Sequence, residues 1–273
     1  MSNSKYGRIL VYFYNQGTKT LQKAPFSECL NSRLGIGDDG FVECNLEDNK
    51  LILQEPKSKE GNEDFVSDAE NQTKTYWLKH PPFCPIAAMD PQDINDLPSD
   101  IYERGIDVGV AVILETSDNK VLLTKRAMHM RTFPGVWVPP GGHIEQDESL
   151  ETAVLRELQE ETGLDVISNI SSSNILGLWE SVFPPVLSMG PPKRHHIVVY
   201  KHITVNASTL QLQRKLKLDP EEVHAAVWLN RSLVERIVYG TDVGIQTEDT
   251  ETFFTAVNQH GDHLLAPFDG AMI

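Results

Sequence analysis

Cysteine is scarce in this chain of 273 residues, which contains only three. Cys29, Cys44 and Cys84 are odd in number and share no C-x-x-C spacing, and no export signal precedes them. A disulfide framework of the kind found in small secreted proteins is therefore not expected. We predict that the three thiols are structural.

Long apolar runs are also missing. No stretch of about 18 apolar residues occurs, and the N-terminal MSNSKYGRIL lacks a sustained apolar segment followed by a small-residue cleavage site. The C-terminal FDGAMI does not match a receptor-read address tail. These features predict a protein without a membrane partner, located in the cytoplasm.

Basic residues are few relative to acidic ones. Lys and Arg total 24 against 39 for Asp and Glu, which gives a formal net charge of −15. Such a chain repels a long nucleic-acid backbone, so extended nucleic-acid binding is not expected. A polyanionic ligand would have to be bound at a few points or through a metal ion.

The sequence pattern of the chain changes near residue 100. Strand-like runs GRILVYFY, FVECNL and LILQE come first, and HPPFCPIAAMDPQDINDLPSD then supplies five prolines in 21 residues, a plausible boundary. Apolar strands such as DVGVAVILE, one long helix, more strands such as RHHIVVYKHITV, and a last helix follow. This order predicts an α+β fold with an α/β/α layered domain. We therefore divide the chain into a strand-rich N-terminal extension (1–100), a main domain (105–240) and a C-terminal tail (241–273).

The long helix, SLETAVLRELQEET, has a candidate N-cap at Ser149 and a stop at Gly163. Its Glu157, Glu160 and Glu161 share a face of about 100° at 100° per residue, next to an apolar arc. Like charges at these spacings, at the negative end of the helix dipole, each cost about 0.2–0.5 kcal/mol. A bound dication would remove that cost, although a solvated acidic face is the ordinary alternative. Carboxylate oxygens favour hard ions, so Mg²⁺ or Mn²⁺ is expected rather than zinc.

The residues around the glutamates decide between these alternatives. Residues 142–164 fit the pattern G-x5-E-x7-R-E-U-x-E-E-x-G-U at every fixed position, with Gly142, Glu148 and Arg156 in place. The chain thus resembles the Nudix hydrolase family. The resemblance implies a Nudix α/β/α sandwich with a mixed sheet, preceded here by the strand-rich N-terminal region.

The same resemblance implies roles for individual residues. Glu157, Glu160 and Glu161 would be the ligands of Mg²⁺ or Mn²⁺, and Arg156 would orient a carboxylate. Glu148 would be an auxiliary group. Either Glu160 or Glu161 would deprotonate the attacking water. Both remain candidates for the general base, because family members differ in which residue has this role. The implied reaction is metal-dependent hydrolysis of a pyrophosphate link in a nucleoside diphosphate derivative.

Residues outside this pattern, which we call the Nudix box (residues 142–164), bear on the substrate. HPPFCP, RGIDVGVAVIL, VWVPPGGHIE, LGLWESVFPPVLSMGPPKRHHIVVY and VHAAVWL resemble Nudix hydrolases that cleave N7-methylguanosine-capped RNA and release the methylated nucleoside diphosphate. A competing pattern, LLTKRAMHMRTFPGVWVPPGG, resembles coenzyme A diphosphatases except at Pro139, where Phe is expected. Hydrolysis of coenzyme A, ADP-ribose or another nucleotide diphosphate is therefore the alternative reaction. An alternative of another class is a Nudix module that binds a nucleotide without cleaving it, against which the intact glutamate cluster argues.

Two basic groups are candidates for contact with an anionic substrate, which would be a small nucleotide or a capped RNA 5′ end. One precedes the box and comprises Lys125, Arg126, His129 and Arg131. The other comprises Lys193, Arg194, His195 and His196, and its first three residues are the substrate-binding candidates that we retain. Three tryptophans could stack on a base, but each sits in an apolar strand and is expected to lie in the core: Trp137, Trp179 and Trp228.

Overall fold

A computed structural model describes residues 7–56, 74–239, 253–258, 260 and 262–267. The strands are β1 (Leu10–Asn15), β2 (Thr20–Lys23), β3 (Asp39–Glu47), β4 (Lys50–Gln54), β5 (Lys74–Lys79), β6 (Asp107–Glu115), β7 (Lys120–Arg126), β8 (Trp137–Val138), β9 (Gly141–His143), β10 (Ile170–Phe183), β11 (Arg194–Val205), β12 (Val223–Asn230), β13 (Phe253–Asn258) and β14 (His263–Pro267). The α-helices are α1 (Leu30–Arg33), α2 (Pro85–Ala88), α3 (Pro91–Asn95), α4 (Ser99–Tyr102), α5 (Leu150–Thr162), α6 (Thr209–Gln213) and α7 (Arg231–Tyr239).

The chain forms two compact units, and each contains segments that are distant in sequence. The first comprises residues 1–110, 143–153 and 175–200, and the second comprises 111–142, 154–174 and 201–273. These contact-based units interleave along the chain, so they are a different division from the three sequence segments. The boundary near residue 100 stays a prediction.

Strands of the first unit pair in the order β2, β1, β4, β3, β5, β10. The β1–β4 and β5–β10 pairs are parallel and the others antiparallel, so this is a mixed sheet. The predicted strand-rich N-terminal region is thereby confirmed. The β3–β4 hairpin turns at Asp48 and Asn49, both of which have positive φ, as a tight two-residue turn requires.

The proline-rich segment before residue 100 is helical. It contains α2, α3 and α4, and the first two begin at a proline, Pro85 and Pro91. Proline is favoured at the first helical position, where its missing N–H costs no hydrogen bond. Proline therefore starts these short helices, whereas in the sequence it indicated only a boundary.

Strands of the second unit pair antiparallel in the order β14, β13, β12, β7, and Glu115 of β6 pairs with Val121 of β7. Helix α7 packs on β12 and β7, with Leu233 and Val234 against the buried cluster of Leu123, Trp137, Ala225, Val227 and Leu229. Trp137 is therefore a core residue, as predicted. A mixed sheet with few helices confirms the predicted α+β class.

Residues 57–73 and most of the predicted C-terminal tail lie outside the described residues. Within the part of the chain that is described, no helix is long and apolar enough to cross a membrane.

Candidate active site

Helix α5 carries the predicted glutamate cluster and starts and stops where the sequence indicates. The Ser149 hydroxyl accepts a hydrogen bond from the Thr152 N–H at 3.1 Å, which caps the first turn. Gly163 adopts a φ of +71° directly after the last helical residue, Thr162. Val154 and Leu158 are buried, so the apolar arc of the helix lies against the core.

The acidic face of α5 is itself partly buried. Glu157 and Glu161 are only 8% and 4% exposed. The side chain of Glu160 is 59% exposed and points toward Arg156. The Arg156 guanidinium donates through Nη1 to Glu157 Oε1 and to Glu160 Oε2, at 2.9 Å each. Arg156 thus fixes the carboxylates of Glu157 and Glu160.

A third carboxylate joins Glu157 and Glu161 from another part of the chain. Glu222 offers an oxygen within 4.8 Å of an oxygen of each of the other two, and the three form a group able to hold a metal ion. Among the described residues, Glu160 is not part of that group. Glu222 was not predicted from the sequence, because no spacing rule links it to a helix that ends about sixty residues earlier. Its one sequence signal is the acidic run DPEE before an apolar strand.

The end of α5 explains how Glu222 reaches the cluster. The last helical carbonyls lack partners within the helix, and the segment before β12 supplies them: Lys217 N–H donates to Thr162 O at 2.8 Å, and Asp219 N–H donates to Glu161 O at 3.0 Å. Val223 N–H then turns back to Asp219 O at 2.8 Å. Capping the helix therefore brings the acidic turn alongside its last glutamate.

Burial raises the pKa values of the Glu157 and Glu161 carboxyls. Desolvation raises the pKa of Glu157 to about 7, although the Arg156 guanidinium acts to lower it. Desolvation likewise raises the pKa of Glu161 to about 8, and the Glu157 and Glu222 carboxylates raise it further. Crowded, desolvated carboxylates are unfavourable without a cation, and a dication would stabilise their ionised forms.

The cradle around the carboxylates fits a hard ion. Gly141 N–H and the Thr124 hydroxyl each approach Glu161 at 3.4 Å, and they orient its two oxygens. A Cβ on Gly142 would lie 2.5 Å from Glu157 Oε2, so only glycine leaves that carboxylate its place. An all-oxygen donor set of three carboxylates suits Mg²⁺ or Mn²⁺.

The first predicted basic group lies on the same unit as the carboxylates. Lys125 and Arg126 end strand β7 directly after Thr124, and the Arg126 charge acts to lower the pKa of Glu161. His129 Nε2 lies 3.9 Å from a carboxylate oxygen of Glu221, the neighbour of Glu222. Positive charge therefore borders the cluster, where a phosphate group of a substrate would lie.

The second predicted basic group divides between surface and core. Lys193 is exposed and Arg194 half-buried, and Lys193 O accepts a hydrogen bond from Arg104 Nη1 at 3.0 Å. His195 is fully buried, with its ring nitrogens 2.9 Å from Glu180 Oε1 and 2.7 Å from Phe26 O. The expectation that His195 contacts substrate is corrected, because strand alternation turns its side chain into the core.

Comparisons with known proteins identify the family of this chain. A sequence model of the NUDIX domain matches residues 105–241. Proteins named m7GpppN-mRNA hydrolase NUDT17 are 43% identical over 239 residues in Xenopus laevis and 42% identical over 240 residues in Danio rerio. These matches cover 87% of this chain, and 76% and 75% of the respective relatives. The NUDIX domain of Shewanella oneidensis NrtR, solved with ADP ribose, is 22% identical with a TM-score of 0.36, covering 55% of this chain and 84% of that one. The chain belongs to the Nudix hydrolase family.

Proposed function

We propose that this chain hydrolyses the pyrophosphate link of N7-methylguanosine-capped RNA and releases the methylated nucleoside diphosphate. The observation that carries the proposal is the group of Glu157, Glu161 and Glu222, in a chain 43% identical over 239 residues to a protein named m7GpppN-mRNA hydrolase. Hydrolases of this family act on phosphoric anhydride bonds and need a divalent metal ion.

In this proposal Glu157, Glu161 and Glu222 hold the ion, and Mg²⁺ or Mn²⁺ matches their oxygen donors. A dication bound there supplies neutralisation of phosphate charge and a lowered pKa for an attacking water molecule. Glu160, which is exposed beside the cluster, would either complete the ligand set or accept the proton of that water. The Arg156 guanidinium keeps Glu157 and Glu160 in a fixed orientation.

The remaining residues act on the substrate. Lys125 and Arg126 would bind the phosphate groups that approach the cluster, and Lys193 and Arg194 are separate candidates for contact with an anionic substrate. A chain with a net charge of −15 has little attraction for a long RNA backbone, which favours recognition of the capped 5′ end alone. We place this activity in the cytoplasm.

A panel of substrates tests the proposal. We would measure kcat/KM with Mg²⁺ and with Mn²⁺ on capped RNA, coenzyme A, ADP-ribose and dinucleoside polyphosphates. The expected result is the highest kcat/KM on capped RNA. A wide preference for coenzyme A would instead favour the second candidate, which rests on the near-complete match of residues 122–142 to the coenzyme A diphosphatase pattern.

A further inference from the structure

Two cysteines and a histidine lie close together in the first unit, on segments of the chain other than helix α5. Cys29, His80 and Cys84 each offer a ligand atom, and these atoms all lie within 4.8 Å of one another. Among the described residues, this group and the glutamate group are the two sets of three or more that could hold a metal ion. The first combines thiols with an imidazole, the donors that zinc prefers.

The backbone brings these residues together from distant positions. His80 directly follows strand β5, Cys84 directly precedes helix α2, and Cys29 directly precedes helix α1. Pro81, Pro82 and Pro85 restrict the backbone of the HPPFCP segment. The segment that follows β5 is thus held against the segment that follows β2.

The orientation of His80 suits a ligand. Its Nδ1 lies 2.7 Å from the carbonyl oxygen of Pro81, a contact in which Nδ1–H donates. In that tautomer Nε2 carries a lone pair, and a carbonyl partner on the other ring nitrogen is the usual arrangement for a histidine that binds a metal. The ring is half-buried, whereas both thiols are buried, so an ion could enter from the His80 side.

The surroundings combine apolar side chains with a buried hydrogen bond between Glu180 and His195. Phe26, Ile86, Leu97 and Val182 form a buried cluster with the two cysteines. Glu180, which is fully buried, lies with Oε2 3.6 Å from Cys29 Sγ and accepts hydrogen bonds from Leu30 N–H at 2.8 Å and from His195 Nε2 at 2.9 Å. These donors compensate the Glu180 charge, and Glu180 is not part of the group formed by Cys29, His80 and Cys84.

We propose that Cys29, His80 and Cys84 bind one zinc ion, which fastens the two segments of the N-terminal region. Buried thiols are often only small apolar side chains, but such packing does not require a histidine nitrogen turned toward two sulfurs. Two thiolates and a neutral imidazole balance the double charge of zinc, so the complex can be buried without net charge. On binding, two S–H bonds break, two Zn–S bonds form and two protons pass to the solvent. This site is independent of the proposed catalytic function.

Metal content tests the proposal on the full chain. The protein would be prepared in zinc-containing medium and dialysed against excess Mg²⁺, so that the carboxylate group carries Mg²⁺. We expect one equivalent of zinc per chain. We also expect Co²⁺, substituted for zinc, to give thiolate-to-cobalt charge-transfer absorption, which the carboxylates cannot produce.

Matched variants assign the ligands. Cys29→Ser and Cys84→Ser should lose the zinc equivalent and the charge-transfer band, whereas Cys44→Ser, at the third buried cysteine, should keep both. Circular dichroism of each variant shows whether it has folded, and the cobalt spectrum of the unsubstituted chain needs no variant. Absence of zinc together with absence of the cobalt band would overturn the proposal, as would a disulfide between Cys29 and Cys84 in the purified protein.

Discussion

The carboxylate of Glu157 occupies the space where a side chain at position 142 would begin: a Cβ on Gly142 would lie 2.5 Å from its Oε2 and 2.6 Å from its Oε1. The requirement for glycine at the start of the box therefore has a steric cause. The steric conflict concerns a carboxylate that we propose as a metal ligand.

Substituting Gly142 should consequently act on metal affinity. Gly142→Ala displaces Glu157, and we expect the Mn²⁺ concentration for half-maximal activity to rise by about 10- to 100-fold, as for other changes that disturb a ligand's support. Metal titration of turnover measures this. An unchanged titration curve would contradict this steric account of Gly142.

Glu222 is the residue that the structure adds to the cluster, and its neighbour provides a control. Glu222→Gln removes one of three converging carboxylates and should weaken binding of Mg²⁺ or Mn²⁺ by about 10- to 100-fold. Glu221→Gln alters an adjacent exposed carboxylate outside that group and should have little effect. Calorimetric titration of both variants compares them, and equal affinities would contradict the assignment of Glu222.

Stability of the metal-free protein should depend on the ionisation of the inner carboxyls. The pKa of Glu157 is raised from 4.5 to about 7 and that of Glu161 from 4.5 to about 8, so the folded state favours their protonated forms. Their contribution to stability is fully present below pH 4.5 and is lost as pH rises through about 7 and about 8. Without metal, Tm should fall over this range, and added Mg²⁺ should raise Tm more at the alkaline end.

The variant Glu161→Gln isolates this effect. It cannot ionise, so its metal-free Tm should exceed that of the unsubstituted chain at alkaline pH and fall less steeply, while turnover is lost. One kcal/mol corresponds to roughly 2–4 °C in a domain of this size. Parallel Tm curves for the two proteins across the range would refute the link between burial of Glu161 and its function.

His195 and Arg194 should affect different quantities although they are adjacent. His195→Ala leaves the buried Glu180 carboxylate without one of its hydrogen-bond donors, which costs on the order of 3 kcal/mol of stability. Arg194→Ala changes a half-buried surface cation and should raise KM while it shifts stability by only about 0.5 kcal/mol. Thermal unfolding and KM for both variants separate these roles. If KM is unchanged in both variants, Arg194 does not contact the substrate.

Local patterns predicted much of the fold. The runs DVGVAVILE and RHHIVVYKHITV coincide with β6 and β11, and the helix prediction differs from α5 only by its cap residue, Ser149. Alternation and capping depend on neighbouring residues, so they can be read from sequence. Short strands such as β8 and β9 were missed, because their two or three residues contain no period to detect.

The site residues likewise divide into those that a local pattern predicts and those that depend on tertiary structure. The spacing along α5 located Glu157 and Glu161, since one helix determines their relative positions. Glu222 depends on how a distant turn caps that helix, and the burial of His195 depends on the face that β11 presents to its unit. Both are tertiary properties, which a local pattern does not encode.

Product analysis of capped RNA tests the central claim most directly. RNA labelled in its N7-methylguanosine cap would be incubated with the protein and Mg²⁺ or Mn²⁺, with Glu161→Gln in parallel. We predict metal-dependent release of the methylated nucleoside diphosphate by the unsubstituted chain and none by the variant. Failure to release it with either ion, or equal release by the variant, would contradict the account.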